Sequence, residues 1–253
     1  MMGRLFLCYD FLLNVVANPA RIYFVYCCML RLLKNVCCCL LVFSAMLSSC
    51  SNSDTQHLKS KDGFAVLPVA KAEEAVATFA GGCFWATQEA MLELKGVNTV
   101  VAGYAGGETS NPTYETVQTK GTGHAEAVQV YYDPRVITFE KLVTAFFYAH
   151  DPTQVDGQGP DLGSDYRSIA FYRSPAEYRT ISGVIETVNA AKHYPEPVVT
   201  EVVPFKAFYP AETGHQDYYP QNLWDPYIRN VSKPKIMKLR AAFPGLIKPG
   251  YLK

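Results

Sequence analysis

Beyond residue 72 the chain alternates between the two-residue period of strands and the longer period of helices. Glu74–Ala80 predicts a strand running into Gly81-Gly82. Phe84–Lys95 carries Phe84, Met91, Leu92 and Leu94 and predicts a helix, with Gly96 where a terminating glycine belongs. Thr99–Tyr104 predicts a second strand, ending at Gly103 and Gly106-Gly107. Glu126–Tyr132 alternates and is rich in Val and Tyr, a third strand. Thr138–His150 sets Leu142, Val143, Phe146 and Phe147 on one helical face. Residues 151–166 are a long Gly/Pro/Asp loop, a length that compact domains keep for function. Ser168–Tyr172 predicts a fourth strand. Ser174-Pro175-Ala176-Glu177 is a capping box with proline at the first helical position, opening a helix to about Lys192. A fifth strand is expected at Val198–Pro204 and a late helix at Lys235–Ala242, in an aromatic, loop-rich C-terminal region. The pattern implies one domain over 73–253, a mixed sheet with helices on one or both faces. It contains no internal repeat, no G-x-G-x-x-G after a strand and no phosphate loop.

The first 49 residues have a different character. Residues 36–47 are an uncharged apolar run of 12, preceded by Arg31 and Lys34 and followed by Ser48, Ser49 and Cys50. Basic flank, short apolar run and small residues compose an export signal. Twelve residues are too few to span a bilayer, which takes about 20. Leu47-Ser48-Ser49-Cys50 resembles the bacterial lipoprotein box, which implies lipidation of Cys50, cleavage before it, and a lipid anchor in the bacterial cell envelope, on the periplasmic or surface side. Met29 opens a signal of ordinary length, so residues 1–28 are read as a misassigned start. The competing reading is a membrane anchor built from residues 5–47 and interrupted by Asp10, Arg21, Arg31 and Lys34. Residues 50–72 are polar and aperiodic, a tether between lipid and domain.

Composition narrows the function classes. The 253 residues hold 23 basic and 23 acidic side chains, and this zero balance argues against a nucleic-acid binder. Cleavage before Cys50 leaves 204 residues with 19 basic against 22 acidic, a net −3. At 49% apolar and 18% charged, disorder is excluded for most of the chain. Of eight cysteines, seven lie at or before residue 50, so the domain has one thiol, Cys83.

Cys83 follows a predicted strand and two glycines and opens a helix. A helix N-terminus presents unpaired N–H donors and a positive dipole end. Such a place lowers a thiol's pKa and favours the thiolate, against the plain alternative of a buried structural cysteine. Gly82-Cys83-Phe84-Trp85 resembles the signature of the peptide methionine sulfoxide reductase A family, specific for the S-epimer. Further motifs stand in the family's order: Gly103-Tyr104, Gly106-Gly107, Asn111-Pro112-Thr113-Tyr114, Gly123-His124-Ala125-Glu126 and His150-Asp151-Pro152-Thr153. Gln158-Gly159-Pro160-Asp161, Asp165-Tyr166-Arg167-Ser168 and His215-Gln216 with Tyr218-Tyr219 complete them, and the resemblance covers roughly residues 75–245.

The resemblance implies an α+β fold, a two-layer plait around a ferredoxin-like core. It implies that Cys83 attacks the sulfoxide sulfur and that Glu126 protonates its oxygen, with a pKa raised by burial. By the same resemblance the hydroxyls of Tyr114 and Tyr166 bind that oxygen, Asp161 orders the thiol through hydrogen bonds, and Phe84 and Trp85 wall the S-methyl group. His124, His150 and His215 are expected as structural hydrogen-bonders. Many family members resolve the oxidised cysteine with a second one near the C-terminus, but residues 205–253 contain none. A Cys83 sulfenic acid would then be reduced by an external thiol, a thioredoxin-like protein or a small thiol, with no bound cofactor. The expected substrates are oxidised proteins and free methionine sulfoxide, and a monomer is expected. His124-x-Glu126 also fits the start of a zinc deaminase signature, but no cysteine follows Cys83 to complete it, and no metal is expected. Asp165 stands where the family usually has glutamine, and Gly214 breaks a usually acidic stretch. Two other classes stay open at this point: a cysteine hydrolase pairing Cys83 with a histidine, and a non-catalytic lipoprotein binding methionine-rich ligands.

Overall fold

A computed structural model describes residues 58–252; the signal, the lipobox and Cys50 lie outside these residues. In chain order the elements are β1 (Ser60–Lys61), β2 (Phe64–Ala65), β3 (Ala75–Gly81), α1 (Phe84–Leu92), β4 (Val97–Ala105), α2 (Tyr114–Gln118) and β5 (Ala125–Tyr132). There follow α3 (Phe139–Ala149), β6 (Gly157–Gln158), β7 (Asp161–Leu162), β8 (Ser168–Tyr172), α4 (Pro175–Ala190), β9 (Glu201–Pro204), β10 (Phe208–Pro210), α5 (Tyr218–Gln221) and α6 (Lys233–Ala242). Six strands form one mixed sheet in the order β10-β4-β5-β3-β8-β9. Every pairing in it is antiparallel except β8 with β9.

Alternation along the strands makes two cores of unequal size. Ala77 and Phe79 of β3, Val100 and Ala102 of β4, and Val128 and Val130 of β5 pack beneath α1, α3, α4 and α6. The intervening residues, among them Ala80, Val101, Ala127 and Tyr131, face the other side with Ala65 and Phe208. The helices thus lie on one face, an α+β arrangement. Glu126 shares the parity of Val128 and Val130, so β5 carries a carboxyl group into the helical side of the molecule.

The predicted strands and long helices are present with shifted ends. α1 stops at Leu92, three residues before the expected end, because Leu94 bridges to Ile247 and Lys95 N–H donates to the Leu246 carbonyl. The capping box of α4 forms only in part. Ser174 accepts from Glu177 N–H, while the Glu177 carboxylate reaches one residue further back, to Arg173 N–H at 2.6 Å. The fifth strand starts at Glu201 rather than Val198.

The tether expectation requires correction for residues 58–67. They form a hairpin through Asp62 (φ 53°) and Gly63 (φ 84°), a turn needing positive φ at both central residues. The hairpin docks by Ala65 N–H to the Ala211 carbonyl and by Thr213 N–H to the Gly63 carbonyl. Its polar middle, Lys59–Asp62, is flanked by apolar residues, and Ala65 buries against the second sheet face with Leu58 and Leu67 packed beside it.

Candidate active site

Cys83 occupies the N-cap position of α1, and its side chain does not cap the helix. The helix end is satisfied from the sheet instead: Phe84 N–H donates to Glu126 Oε2 at 2.9 Å. Both groups are buried, Cys83 6% and Glu126 2% exposed. Gly82, at φ +79°, lets the strand turn into the helix, and a Cβ there would stand 2.4 Å from Gln158 Cγ. Gln158 is itself held by two bonds to the backbone of Asp151, so the long loop is clamped against the residue before Cys83.

Burial pushes Glu126 up to about 8, reinforced by the Asp165 and Asp161 carboxylates and opposed by the Phe84 N–H and by Lys235. Glu126 is therefore an acid at neutral pH, as expected. The expectation of an acidified Cys83 is corrected. Burial pushes this thiol well above its ordinary value and Glu126 adds to the rise, outweighing the Trp85 N–H and the Tyr227 hydroxyl, which favour the thiolate. The helix-terminal effect is present but smaller than the cost of a charged sulfur out of water.

The loops bring up the remaining groups. Tyr114 opens α2, whose N-cap Thr113 exchanges hydrogen bonds with Thr116. Glu212 accepts from Tyr114 N–H and from the Tyr104 hydroxyl, both at 2.9 Å, fixing the start of α2 against the sheet. Tyr166 ends a 3-10 turn, Ser164–Tyr166, beside β5. Burial pushes both phenols up, Tyr114 to about 12, and the charges of Glu126 and Cys83 act on each, so both tyrosines are neutral donors facing the reacting pair. Asp161 accepts from the Tyr227 hydroxyl at 2.5 Å, and that hydroxyl also interacts with the Cys83 sulfur. The thiol is ordered through Tyr227, which sequence reasoning missed among seventeen tyrosines.

Phe84 is a core ring, 1% exposed, between Tyr104 and Tyr114. Trp85 forms the outer wall, stacked on Tyr218 at 3.9 Å, with Tyr227 edge-on at 5.9 Å. His215, expected as a structural hydrogen-bonder, is a third wall, 4.3 Å from the Tyr114 ring and 5.4 Å from Phe84. Its Nδ1 is buried without a hydrogen-bond partner, and burial holds its pKa down. The adjacent Gln216 is structural: its amide exchanges bonds with the backbone N–H and carbonyl of Ala102, continuing on β4 the ladder that β10 begins.

Neither His124 nor His150 gives Cys83 a base. His124 binds Gly107 N–H and the Thr109 carbonyl, and His150 lies between the Phe146 carbonyl and the Ser168 hydroxyl. Among the described residues no group of three His, Cys, Asp or Glu stands together as a metal site. The cluster therefore holds a thiol, a neutral carboxylic acid, two phenol donors and an aromatic wall, the set needed to protonate an oxygen while a sulfur attacks the atom bearing it.

Comparison with known proteins points the same way. A profile of the family described as Peptide methionine sulfoxide reductase matches residues 75–245. Peptide methionine sulfoxide reductase MsrA of Thermus thermophilus is 48% identical over 176 residues, covering 70% of this chain and 99% of that protein. The protein of the same name from Natronomonas pharaonis is 47% identical over 169 residues, 67% of this chain and 95% of its own. Among solved structures, reduced Mxr1 of Saccharomyces cerevisiae superposes with a TM-score of 0.57 at 34% identity, covering 61% of this chain and 88% of its own. Methionine sulfoxide reductase A of Corynebacterium diphtheriae gives 0.56 at 32%, covering 61% and 78%. With this match across most of its length and the thiol–acid pair in the matched region, the chain belongs to the peptide methionine sulfoxide reductase family.

Proposed function

We propose that this chain reduces methionine-S-sulfoxide, free or in proteins, through a Cys83 sulfenic acid cleared by an external thiol. As a family member it is an oxidoreductase that returns methionine sulfoxide to methionine. The observation carrying the residue-level reading is Glu126, buried, uncharged near neutral pH, and bonded to the first turn of the helix that Cys83 opens.

Cys83 Sγ gives up its proton and attacks the sulfoxide sulfur while Glu126 protonates the oxygen, and the Tyr114 and Tyr166 hydroxyls hold that oxygen. The oxygen passes to Cys83 as the hydroxyl of a sulfenic acid and the thioether leaves. The proton that the thiol gave up passes to water, and Glu126 takes one back from water, so the site is left as it began. Methionine sulfur gains two electrons and Cys83 sulfur loses two. One external thiol then forms a mixed disulfide with release of water, and a second displaces Cys83 as a thiol. Cys83 is the cysteine of the described residues, and residues 205–253 hold no other, so the external route accounts for turnover. A thioredoxin-like protein or a small thiol fits that step.

The purified chain with each sulfoxide epimer and dithiothreitol tests the reading. Turnover of the S-epimer is expected, abolished in Cys83→Ser and slow in Glu126→Gln; turnover confined to the R-epimer would sink it. Without reductant, Cys83 should gain one oxygen and a dimedone adduct.

Three finer readings belong with this one. With the short α2, β6 and β7 set aside as insertions, the succession β3-α1-β4-β5-α3-β8 and the strand order β4-β5-β3-β8 support a ferredoxin-like core. Leu47-Ser48-Ser49-Cys50 supports a signal over 29–49 and an enzyme anchored by Cys50 in the bacterial cell envelope. Metabolic labelling with palmitate should mark the native chain and not Cys50→Ser. Trp85 with Phe84, Tyr218 and His215 supports an aromatic seat for the S-methyl group.

A further inference from the structure

Lys235 stands in the first turn of α6, and its Nζ is buried with no hydrogen-bond partner among the described residues. An unpaired buried ammonium is expensive: burial lowers the pKa of Lys235, and nearby negative charge is what favours its charged form. Its location points to that charge. A Cβ built on Gly82 would lie 3.7 Å from Nζ, and Gly82 immediately precedes Cys83. α6 packs on α1, the helix that Cys83 opens.

The surrounding groups come from every neighbouring element. Asp161 on β7, Cys83 and Glu126 on β5 each act on Lys235 by charge. Cys83 in turn faces Glu126, Asp161, the Tyr227 hydroxyl and the Trp85 N–H. From α3 comes His150, held down to about 4 by burial and so uncharged. Tyr114 and Tyr166 are neutral, and Asp165 faces Glu126 while Lys120 and Arg167 act on Asp165. Lys235 therefore acts on both reacting groups at once.

We propose that Lys235 is a positioning residue of the sulfoxide reduction, its unpaired ammonium behind Gly82 stabilising the one negative charge that passes between Cys83 Sγ and the Glu126 carboxylate. This rests on the roles of Cys83 and Glu126 given above. As the thiol ionises, the charge lies on Sγ; once the sulfoxide oxygen has taken the Glu126 proton, it lies on the carboxylate. Burial drives each group toward its neutral form, so the charged pair would be scarcely populated without a nearby cation. A cation facing both favours the charge at either end and leaves the direction of proton transfer to the substrate.

The experiment uses the full chain with Lys235→Met, Lys235→Gln and Lys235→Arg. Iodoacetamide labelling of the Cys83 peptide is followed against pH by mass spectrometry, beside the pH profile of dithiothreitol-driven reduction. Removing the cation raises both pKa values, so in Lys235→Met and Lys235→Gln the labelling curve and the rising limb of the rate profile should move up by about one pH unit. At pH 7, kcat should fall about tenfold with KM within about twofold, and Lys235→Arg should restore the wild-type profile. An unchanged labelling curve in either folded neutral variant would overturn the proposal, and so would the same shift in Lys235→Arg, which would assign the effect to packing. If Lys235→Met does not fold, Lys235→Gln gives the reading. Labelling needs no sulfoxide turnover, so failure of the wild-type chain to reduce sulfoxide would count against the proposed function and leave this result separate.

Discussion

At the scale of single residues the site depends on a tension between burial and charge. Tyr227 relieves part of it, because its hydroxyl lies between Asp161 and the sulfur. Tyr227→Phe should lower kcat about tenfold and leave KM for sulfoxide within about twofold, since the bond lost orders the nucleophile and not the substrate. Steady-state kinetics at saturating dithiothreitol would show it. Glu126 ends the rising limb of the pH profile: below about 8 it is the acid and reduction rises with pH as the thiol ionises, and above that value loss of the acid offsets further ionisation of the higher-lying Cys83, so the rate should level off. Asp165, buried with Oδ1 unpartnered, raises Glu126 by its charge. Asp165→Asn removes the like charge, so the levelling-off should move to lower pH by about half a unit, read from a kcat profile. Cys83 and Glu126 were legible because local motifs carry them. Tyr227 and Lys235 were not, because their partners lie on other elements and nothing in their own neighbourhoods distinguishes them; His215 stood in a motif, but its place in the aromatic wall depends on rings from α1 and α2.

At the scale of elements, α1 is unusual in burying polar side chains along with its apolar ones. Gln88 donates to the Val100 carbonyl and accepts from Asp217 N–H, tying the helix to β4 and to the C-terminal segment. Glu93, fully buried just past the helix, accepts from Arg240 of α6 at 2.6 and 2.7 Å. Burial pushes Glu93 up and its neighbour Glu89 up to about 8, and the guanidinium opposes both. Arg240→Met leaves the Glu93 carboxyl buried without its cation. The loss should be about 2 kcal/mol, below the 3–5 of a fully buried pair because Arg240 keeps some solvent contact. A group with a raised folded pKa loses stability as pH climbs from its unfolded value toward its folded one. The penalty should therefore grow above about pH 4.5, and urea unfolding at several pH values checks both statements. The ends of α1 and β9 differed from the sequence reading because distant segments, Leu246-Ile247 and β8, supply the backbone partners that end or begin them.

At the scale of the whole molecule, the sheet has a thick helical side and a thin one. The thin side is closed by residues 58–67 and by the segment around β10, which packs Phe208 beside Ala65. A chain begun at Pro68 loses the hairpin and its two backbone bonds to residues 211–213. It should fold and reduce sulfoxide with a Tm lower by about 5 °C, corresponding to roughly 1–2 kcal/mol, because the hairpin touches none of the reacting groups. Calorimetry of the two lengths measures this. An equal Tm would show that the hairpin covers the face without stabilising it.

The sequence by itself determined the succession of strands and long helices, the placing of Cys83 at a strand-to-helix junction, and the motifs that mark Glu126, Tyr114, Tyr166 and Asp161. Period, glycine spacing and capping residues act within a few positions of each other, so one chain read in order reveals them. The tertiary structure decided the protonation of the site and the identity of its supporting groups. It buried the thiol deeply enough to outweigh the helix end, and it brought Tyr227, His215 and Lys235 from the last forty residues or so to a helix that begins at Phe84. Desolvation and long-range contact are properties of what surrounds a group in space, and no local pattern of residues encodes them.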